Sequence, residues 1–496
     1  MTKLTSPVRV RFAPSPTGRM HLGSARTALY CVLMARQSGG QFVLRIEDTD
    51  QKRYVATAEQ ELMDGLRWLG LQWDEGPDVG GPYAPYRQSE CKAIYQQYAW
   101  QLIEQGHAYP CFCSPERLKH IREEQQRHKQ PPRYDRTCRH LPLEEARARI
   151  DSGESYVIRF KMPTEGQITV TDALRGDITY QNADLDDAVI VKSDGLALYH
   201  LAVVVDDHRM KTTHVLRGSE WLPSLPLHVH LYHAFGWQQP EWIHLSVFLK
   251  PSGKGKMSKR EAADLLKDGQ SIFVTDLRDM GYTPEGVLNW IALMGASFDL
   301  PDDVMRLDEM IAAFDPSRLT PSPAAINFTK LDHFNGVHIR KLSIPDLAQR
   351  IKPFFEKAGY AVDDDTLLAL TPLIQERITT LEEAPEMAGF FFTPEVQPTL
   401  EDLIPKGLTA AAAAQIALRC LEVLSNLPQI DHATAEEPLR ALAEELGYKP
   451  GQVFGLLRAA VTGQKISPPL LESMAIIGKT VTLQRIADAA QRLQTE

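Results

Sequence analysis

The chain has 496 residues, of which 43% are hydrophobic and 24% charged, and its formal net charge is −10. This composition is ordinary for a globular protein of two to four domains. The net negative charge argues against a protein that binds nucleic acid, because such proteins usually have an excess of basic residues. A local basic face would nevertheless suffice for binding. There is no apolar run of membrane-spanning length, no apolar signal core near the N-terminus, and no disulfide framework indicated by the six cysteines. We therefore expect a cytoplasmic protein with no membrane partner, and we expect a monomer.

The first fifty residues predict a strand over 8–12, a helix over 22–38 and a second strand over 42–46 that leads into three carboxylates. His21 and Gly23 lie at the start of the helix, where unpaired backbone N–H groups and the helix dipole favour a phosphate. Gly23 would also let a ligand approach the main chain. From the spacing alone, an ordinary strand, turn and helix with a solvated histidine is the simpler interpretation.

The next segment predicts a helix over 57–70, a loop over 76–86 and a helix from about Ser89, its N-cap, to 105. Three thiols and an imidazole then follow in two close pairs, namely Cys111, Cys113, Cys138 and His140. These groups match tetrahedral zinc chemistry, but their spacing is tighter than the usual two-residue gap. Free cysteines in a mobile loop are the alternative interpretation.

Residues 156–192 predict a run of short strands, which indicates a largely β insertion in a parallel α/β domain. The run 198–205 is apolar throughout and predicts a buried parallel strand, with Asp206-Asp207-His208 at its carboxyl end, where ligands bind in open sheets. A strand over 213–217 ends at Arg217, a helix is predicted over 222–235, and a further strand over 243–249.

Residues 250–260, KPSGKGKMSKR, form a flexible loop with four lysines and an arginine. Such a loop could close over a triphosphate and stabilise charge on a leaving pyrophosphate. A solvated basic loop is the alternative. The last third of the chain predicts helices almost throughout, for example over 284–294, 344–358 and 410–427.

Two of these motifs resemble the signatures of class I aminoacyl-tRNA synthetases. His21-Leu22-Gly23-Ser24 is similar to the first signature, with serine in place of its second histidine, and KMSKR at 256–260 is similar to the second. PSPTG before His21 and RIEDTD at 45–50 resemble the glutamyl-tRNA synthetase family. Two signatures in this order, about 230 residues apart, are more specific than either alone.

The resemblance implies ATP-dependent activation of L-glutamate to glutamyl-adenylate, with Mg²⁺, and transfer to the 2′-hydroxyl of the terminal ribose of tRNA(Glu). By family match, His21, Lys256 and Lys259 are the catalytic residues, and together with Gly23 they bind ATP. The resemblance assigns the binding of glutamate to six residues, namely Arg11, Ala13, Ser15, Glu47, Tyr199 and Arg217. Glu47 would take the ammonium group, and Arg11 and Arg217 would take carboxylate oxygens.

The resemblance also implies four regions. A Rossmann-like parallel-sheet catalytic domain would comprise 1–95 and 200–253, with an inserted α+β acceptor-end-binding domain at 96–199. A stem-contact region with the KMSKR loop would cover 254–335, and an all-α anticodon-binding region 336–496. The resemblance favours a structural zinc on Cys111, Cys113, Cys138 and His140, and anticodon contacts by Arg458 and Ser467. A helix surface charge and a helix N-cap are equally good interpretations of the last two.

Other functions stay open at this point. A related enzyme could charge tRNA(Gln) as well as, or instead of, tRNA(Glu). Ser219 stands where many relatives have an acidic residue, with no predicted consequence. A small-molecule nucleotidyltransferase would share the histidine-glycine helix start but would have no use for the long helical third. A catalytically silent tRNA-binding protein would have no need of His21, Glu47 and Lys259.

Overall fold

The computed structural model describes residues 6–50, 53, 55–257 and 259–495, and only the backbone of residues 259–261. The chain forms two compact units. The N-terminal unit comprises Met1–Leu277 and Val287–Phe328, and the C-terminal unit comprises Arg278–Gly286 and Thr329–Glu496.

The described strands all lie in the N-terminal unit. They are β1 (Arg9–Phe12), β2 (Gln41–Leu44), β3 (Ala108–Cys111), β4 (Val157–Phe160), β5 (Gln167–Asp172), β6 (Gly176–Gln181), β7 (Val189–Val191), β8 (His214–Gly218), β9 (Glu241–Leu245), β10 (Phe248–Leu249) and β11 (Ala324–Ala325).

A six-stranded sheet in the order β2–β1–β8–β9–β5–β6 organises this unit. Its neighbouring strands run parallel except for the antiparallel hairpin of β5 and β6 at one edge. β3, β4 and β7 form a separate antiparallel sheet, and β10 pairs with β11. The β5–β6 hairpin lies within the segment expected to be inserted, and it extends the main sheet.

The helices that begin before residue 320 are α1 (Leu22–Ser38), α2 (Ala58–Trp68), α3 (Lys92–Glu104), α4 (Pro115–Arg127), α5 (Leu143–Asp151), α6 (Tyr199–Arg209), α7 (Leu225–Phe235), α8 (Lys259–Lys267), α9 (Val274–Asp279), α10 (Pro284–Ala292) and α11 (Leu307–Ala313). α1 packs on β1, β2 and β8, and every residue from Ala28 to Ala35 is buried. It ends at Gly39, which adopts the left-handed conformation that favours glycine.

The remaining helices are α12 (Phe328–Lys341), α13 (Ile344–Lys357), α14 (Asp364–Ile374), α15 (Glu383–Ala388), α16 (Leu400–Leu403), α17 (Ala410–Ser425), α18 (His432–Glu445), α19 (Pro450–Thr462), α20 (Leu470–Ile477) and α21 (Lys479–Gln494). They confirm the predicted all-helical end, and the parallel sheet confirms the predicted α/β core. Over the ranges described, no helix combines the length and apolar character needed to cross a bilayer.

The single strand predicted over 243–249 is two strands, β9 and β10, which belong to different sheets. The strand predicted over 198–205 is wrong. The apolar run 198–205 is not a strand but the first two turns of α6, and Asp206 and Asp207 belong to the same helix. A continuous apolar run cannot distinguish a buried strand from a helix that is buried on all sides, and Leu201 to Asp207 are all buried. Neither aspartate therefore stands at a strand end. From the helix, Asp207 accepts from Arg11 of β1, whereas Asp206 accepts from Gln88 and Tyr95.

Ser89 is also not an N-cap. A 3-10 turn at Gln88–Cys91 precedes α3, and the Ser89 hydroxyl and backbone N–H both donate to the carboxylate of Asp48. The charged segment between the two cysteine pairs, for which a mobile loop was the alternative interpretation, contains α4, capped by the hydroxyl of Ser114.

Candidate active site

The start of α1 is capped by its own histidine. His21 is the N-cap residue, and its Nδ1 accepts the backbone N–H of Gly23 at 3.0 Å. The backbone N–H of Ser24 donates to the carbonyl of His21. The expectation of unpaired N–H groups here is thus wrong for Gly23 and Ser24. A Cβ on Gly23 would lie 2.8 Å from Cε1 of His21, so glycine at this position lets the imidazole fold back over the helix start.

The chain that follows the second signature returns to this helix start. The backbone N–H of Leu22 donates to the carbonyl of Ile272, and that of Val274 donates to the carbonyl of Met20. Residues 272–274 come a few positions after α8, whose first residue is Lys259. The helix start that carries the first signature is therefore joined by backbone hydrogen bonds to the segment that follows α8.

Lys256 lies at the end of a tight, exposed turn. It forms an antiparallel bridge with Leu249, the last residue of β10, and its side chain is exposed. Lys254 is also exposed. The backbone of Lys259 begins α8, and its side chain lies outside the described residues.

The predicted glutamate residues collect at the carboxyl ends of β1, β2 and β8. Arg11 lies in β1, with Ala13 and Ser15 just after it, and Glu47 follows β2. The buried Arg11 donates through Nε to Asp207 Oδ1 at 3.0 Å and through Nη1 to the carbonyl of Leu216. The buried Glu47 accepts from Arg45 Nη2 at 3.0 Å.

Arg45, which the sequence analysis did not single out, connects these groups. Its side chain is fully buried, and its Nη1 donates to Asp207 Oδ1 at 2.7 Å. Asp207 thus accepts from both Arg11 and Arg45, while Asp206 lies 3.8 Å from Arg45 Nε. We call Arg11, Arg45, Glu47, Asp206 and Asp207 the ion-pair side of the candidate site. A charge inside the apolar run FVLRI was the available sequence signal.

Arg217, near the end of β8, has a different environment. Its Nε donates to His244 Nε2 at 2.9 Å, and its Nη1 donates to His228 Nδ1 at 3.0 Å and to the Tyr199 hydroxyl at 3.3 Å. Its Nη2 is buried and has no hydrogen-bond partner among the described residues. We call Arg217, Tyr199, His200, His228 and His244 the histidine side of the candidate site. Histidines inside the apolar α7 and β9 segments were the available sequence signal.

The two arginines differ in their electrostatics. Burial alone would lower the pKa of Arg11, but the Asp207 carboxylate outweighs it and the pKa is raised. The pKa of Arg217 is lowered, first by burial and also by Arg11. Tyr199 interacts electrostatically with Arg217, Glu47 and Arg11, so the two groups of residues are neighbours in the fold.

Comparison with known proteins identifies the family. Residues 7–333 match the family described as tRNA synthetases class I (E and Q), catalytic domain, and residues 346–490 match the anticodon binding domain family. Curated relatives include the glutamate–tRNA ligases of Dehalococcoides mccartyi, 45% identical over 99% of both chains, and of Acidothermus cellulolyticus, 46% identical over 97% of this chain and 95% of that one. The chain belongs to the glutamate–tRNA ligase family of class I tRNA synthetases.

A solved structure agrees. The glutamate–tRNA ligase of Elizabethkingia meningosepticum, crystallised in complex with its amino acid, is 38% identical and superposes with a TM-score of 0.87 over 98% of this chain and all of that one. The match to the glutamate–tRNA ligase family therefore extends over the catalytic and the helical regions together.

This glutamate–tRNA ligase family member also holds a cluster of thiols. The Sγ atoms of Cys111, Cys113 and Cys138 all lie within 4.8 Å of one another, so one metal ion could reach all three. His140, predicted as the fourth ligand, is exposed and does not belong to this set. Instead, the Tyr134 hydroxyl lies 3.3 Å from Cys111 Sγ and 3.6 Å from Cys113 Sγ.

In the C-terminal unit, the two predicted anticodon residues contact each other. Arg458 Nη1 donates to the Ser467 hydroxyl at 2.7 Å and to the carbonyls of Ser467 and Pro468. Ser467 is buried and is not the N-cap of α20, which is Pro469. The neighbouring Ile466 is 82% exposed.

Proposed function

We propose that this chain activates L-glutamate with ATP and transfers it to tRNA(Glu), and that Arg217 binds the side-chain carboxylate of the substrate. The observation that carries this proposal is the environment of the Arg217 side chain. It is a buried cation whose described hydrogen-bond partners are two histidines and a tyrosine, and its Nη2 has no partner among the described residues. A buried charge is costly unless it is paired. A substrate carboxylate provides both the missing acceptor and the missing negative charge.

Glu47 and Arg11 complete the pocket in this proposal. The Glu47 carboxylate binds the substrate ammonium, and Tyr199, packed on Trp221 with ring centroids 4.3 Å apart, closes one wall. Ala13 and Ser15 line the edge after β1. Arg11 faces the α-carboxylate, although Asp207 already balances much of its charge.

The chemistry requires no covalent enzyme nucleophile. An oxygen of the substrate α-carboxylate attacks the α-phosphorus of ATP, and the bond to the β-phosphate breaks, so pyrophosphate leaves. His21, the Gly23 turn, Lys256 and Lys259 would hold the triphosphate and stabilise its charge, and Mg²⁺ would supply further positive charge there. The ribose 2′-hydroxyl then attacks the carbonyl carbon of the adenylate, AMP leaves and the hydroxyl proton is released.

The pocket also gives a reason for rejecting glutamine. An amide facing Arg217 presents only one acceptor, and it leaves the guanidinium charge unbalanced. Sites that hydrogen-bond a polar substrate group can discriminate by about 10⁴ without editing.

Aminoacylation of purified tRNA(Glu) and purified tRNA(Gln), each tested alone with radiolabelled glutamate, tests the function. Charging of tRNA(Glu) supports the proposal, and charging of tRNA(Gln) would show a broader or different tRNA choice. ATP–pyrophosphate exchange that needs glutamate but not tRNA would favour a small-molecule nucleotidyltransferase. Absence of both activities would favour a silent tRNA-binding protein.

A structural zinc ion fits the thiol cluster, and we propose that Cys111, Cys113 and Cys138 bind it as thiolates. The sequence resemblance points to His140 for the fourth position, whereas contact with the thiols points to Tyr134. Metal analysis of protein purified without chelator should give one zinc per chain. His140→Ala and Tyr134→Phe then separate the two candidates, because the variant that lacks the true ligand should lose zinc to a weaker chelator. Substoichiometric zinc in the unmodified protein would contradict the site.

We further propose the four-region arrangement with boundaries at 95, 199, 253 and 335 and the roles assigned to them above. Arg458 and Ser467 would act on the anticodon by shaping the loop that exposes Ile466. A cytoplasmic location and a monomer stay predictions. Light scattering of the purified chain tests the second.

A further inference from the structure

The hydrogen bonds around Arg217 determine which nitrogen of each neighbouring histidine carries a proton. Arginine can only donate, so His244 Nε2 must accept and the proton of His244 must be on Nδ1. That Nδ1 donates to Asp172 Oδ2 at 2.7 Å. His228 Nδ1 must likewise accept, so its proton is on Nε2, which donates to His200 Nδ1 at 2.9 Å.

The sheet brings this array together. In the parallel pair β8–β9, Arg217 lies opposite His244, and in the next pair Asp172 lies opposite Trp242. The array Asp172–His244–Arg217 therefore runs across three neighbouring strands. Asp172 is itself fixed, because its Oδ1 accepts the backbone N–H groups of Leu174 and Arg175.

We propose that His228 and His244 are positioning residues for amino-acid specificity, which hold the Arg217 guanidinium by neutral acceptors and leave its Nη2 and its charge for the substrate carboxylate. This inference rests on the proposed role of Arg217. Had carboxylates held the guanidinium, as Asp207 holds Arg11, the charge would be balanced within the protein. The site would then favour the binding of glutamate over glutamine by a smaller factor.

The protonation equilibria of the histidines agree with this role. Burial lowers the pKa of His228, and Arg217 lowers it further. Burial also lowers the pKa of His244, although Asp172 opposes it. Both imidazoles are therefore neutral near pH 7, as acceptors for a guanidinium must be.

The first test compares two substitutions of His228. His228→Leu removes the acceptor, whereas His228→Asn keeps an oxygen near the place of Nδ1. With tRNA(Glu) and ATP saturating, we expect His228→Leu to raise the KM for glutamate by about 10- to 100-fold, the loss that corresponds to a hydrogen bond with a charged group. The KM for ATP should stay within about twofold because the triphosphate residues lie elsewhere. His228→Asn should recover most of the loss.

His233→Leu is the matched control, because it makes the same substitution at an exposed position of the same helix. It should leave both KM values unchanged. Equal defects in His228→Leu and His228→Asn, or a parallel rise of both KM values, would overturn the positioning role, and so would an unchanged KM for glutamate in His228→Leu.

The second test acts through the tautomer of His244. Asp172→Asn is isosteric and keeps an oxygen for the two backbone N–H groups, but it can present an amide donor to His244 Nδ1. The proton of His244 would then move to Nε2 and oppose the Nε–H of Arg217. We expect the ratio of kcat/KM for glutamate over glutamine to fall about tenfold or more. An unchanged ratio would overturn the role of His244.

Arg217→Ala separates the two levels of inference. If it charges tRNA with an unchanged KM for glutamate, the proposed role of Arg217 fails, and the positioning role fails with it. If Arg217→Ala is defective while the His228 and Asp172 variants are normal, only the positioning role fails.

Discussion

The two sides of the proposed glutamate site hold an arginine in opposite ways. On the ion-pair side, Arg11 and Arg45 share the carboxylate of Asp207, and the pKa of Asp207 is lowered because these cations outweigh its burial. On the histidine side, the described partners of Arg217 carry no negative charge. Arg11 and Arg45 thus already have a carboxylate as a hydrogen-bond partner, whereas Arg217 has none among its described partners. We therefore expect the loss of Asp207 to act mainly on stability and the loss of Arg217 to act mainly on specificity.

Replacement of Arg217 by methionine should give the largest separation of the two properties. Without the guanidinium, kcat/KM for glutamate should fall by about three orders of magnitude, as expected for one partner of a buried charge pair. The free energy of unfolding should be unchanged or higher, because the substitution removes an unbalanced buried charge.

All seven tryptophans lie in the N-terminal unit, so the urea midpoint of their fluorescence reports the stability of that unit. Arg67→Met, at a half-exposed arginine of the same unit, is the matched control and should keep full activity. A large loss of stability in Arg217→Met would contradict the division between the two sides.

Asp207→Asn should produce the converse result. It leaves Arg11 and Arg45 without their shared carboxylate, and breaking a buried ion pair costs about 3–5 kcal/mol of unfolding free energy. The tryptophan midpoint measures this loss, and Asp184→Asn, at an exposed aspartate, is the control. Stability close to that of the unmodified protein would show that Asp207 is not the structural centre of the ion-pair side.

Glu47 should respond to pH because burial raises its pKa, although Arg45 opposes the shift. A glutamate with a raised pKa loses its charge at a higher pH than an ordinary carboxylate, so ammonium binding weakens as the pH falls through that value. We expect the KM for glutamate to rise on acidification, and Glu47→Gln to have a KM about tenfold higher that does not depend on pH over that window. An equal pH dependence in both proteins would assign the effect to another group.

The last effect is expected from the histidines themselves, and it appears only in acid. Burial lowers the pKa of His200 to about 4, with Arg217 adding to the shift, whereas a histidine in the unfolded chain takes up a proton below about pH 6.5. Stability is therefore full above about pH 6.5 and is lost between there and about pH 4, by up to about 1.4 kcal/mol per pH unit for each such histidine. His200→Asn keeps an acceptor for His228 and cannot titrate, so its tryptophan midpoint should fall less steeply with acid.

Two kinds of local signal in the sequence were informative, namely the periodicity of apolar residues and the short signature motifs. Alternation and helical spacing placed β1, α1 and the helical third within a few residues of their observed bounds, and the two signatures indicated the family. The 198–205 prediction failed because hydrophobicity without periodicity does not distinguish a buried helix from a buried strand. The capping of α1 by its own histidine was missed because the spacing of His21 and Gly23 does not predict the orientation of the histidine side chain.

By itself, the sequence determined the family, the α/β core and the helical end, and it predicted the residues of an ATP and glutamate site. Only the tertiary structure decided which charges are already paired. Arg11 and Arg217 are indistinguishable as strand arginines in the sequence. The fold brings Asp207 from α6 to the first, and His228 and His244 from α7 and β9 to the second. The electrostatic role of a buried charge depends on its neighbours in space, and those neighbours come from segments far apart along the chain.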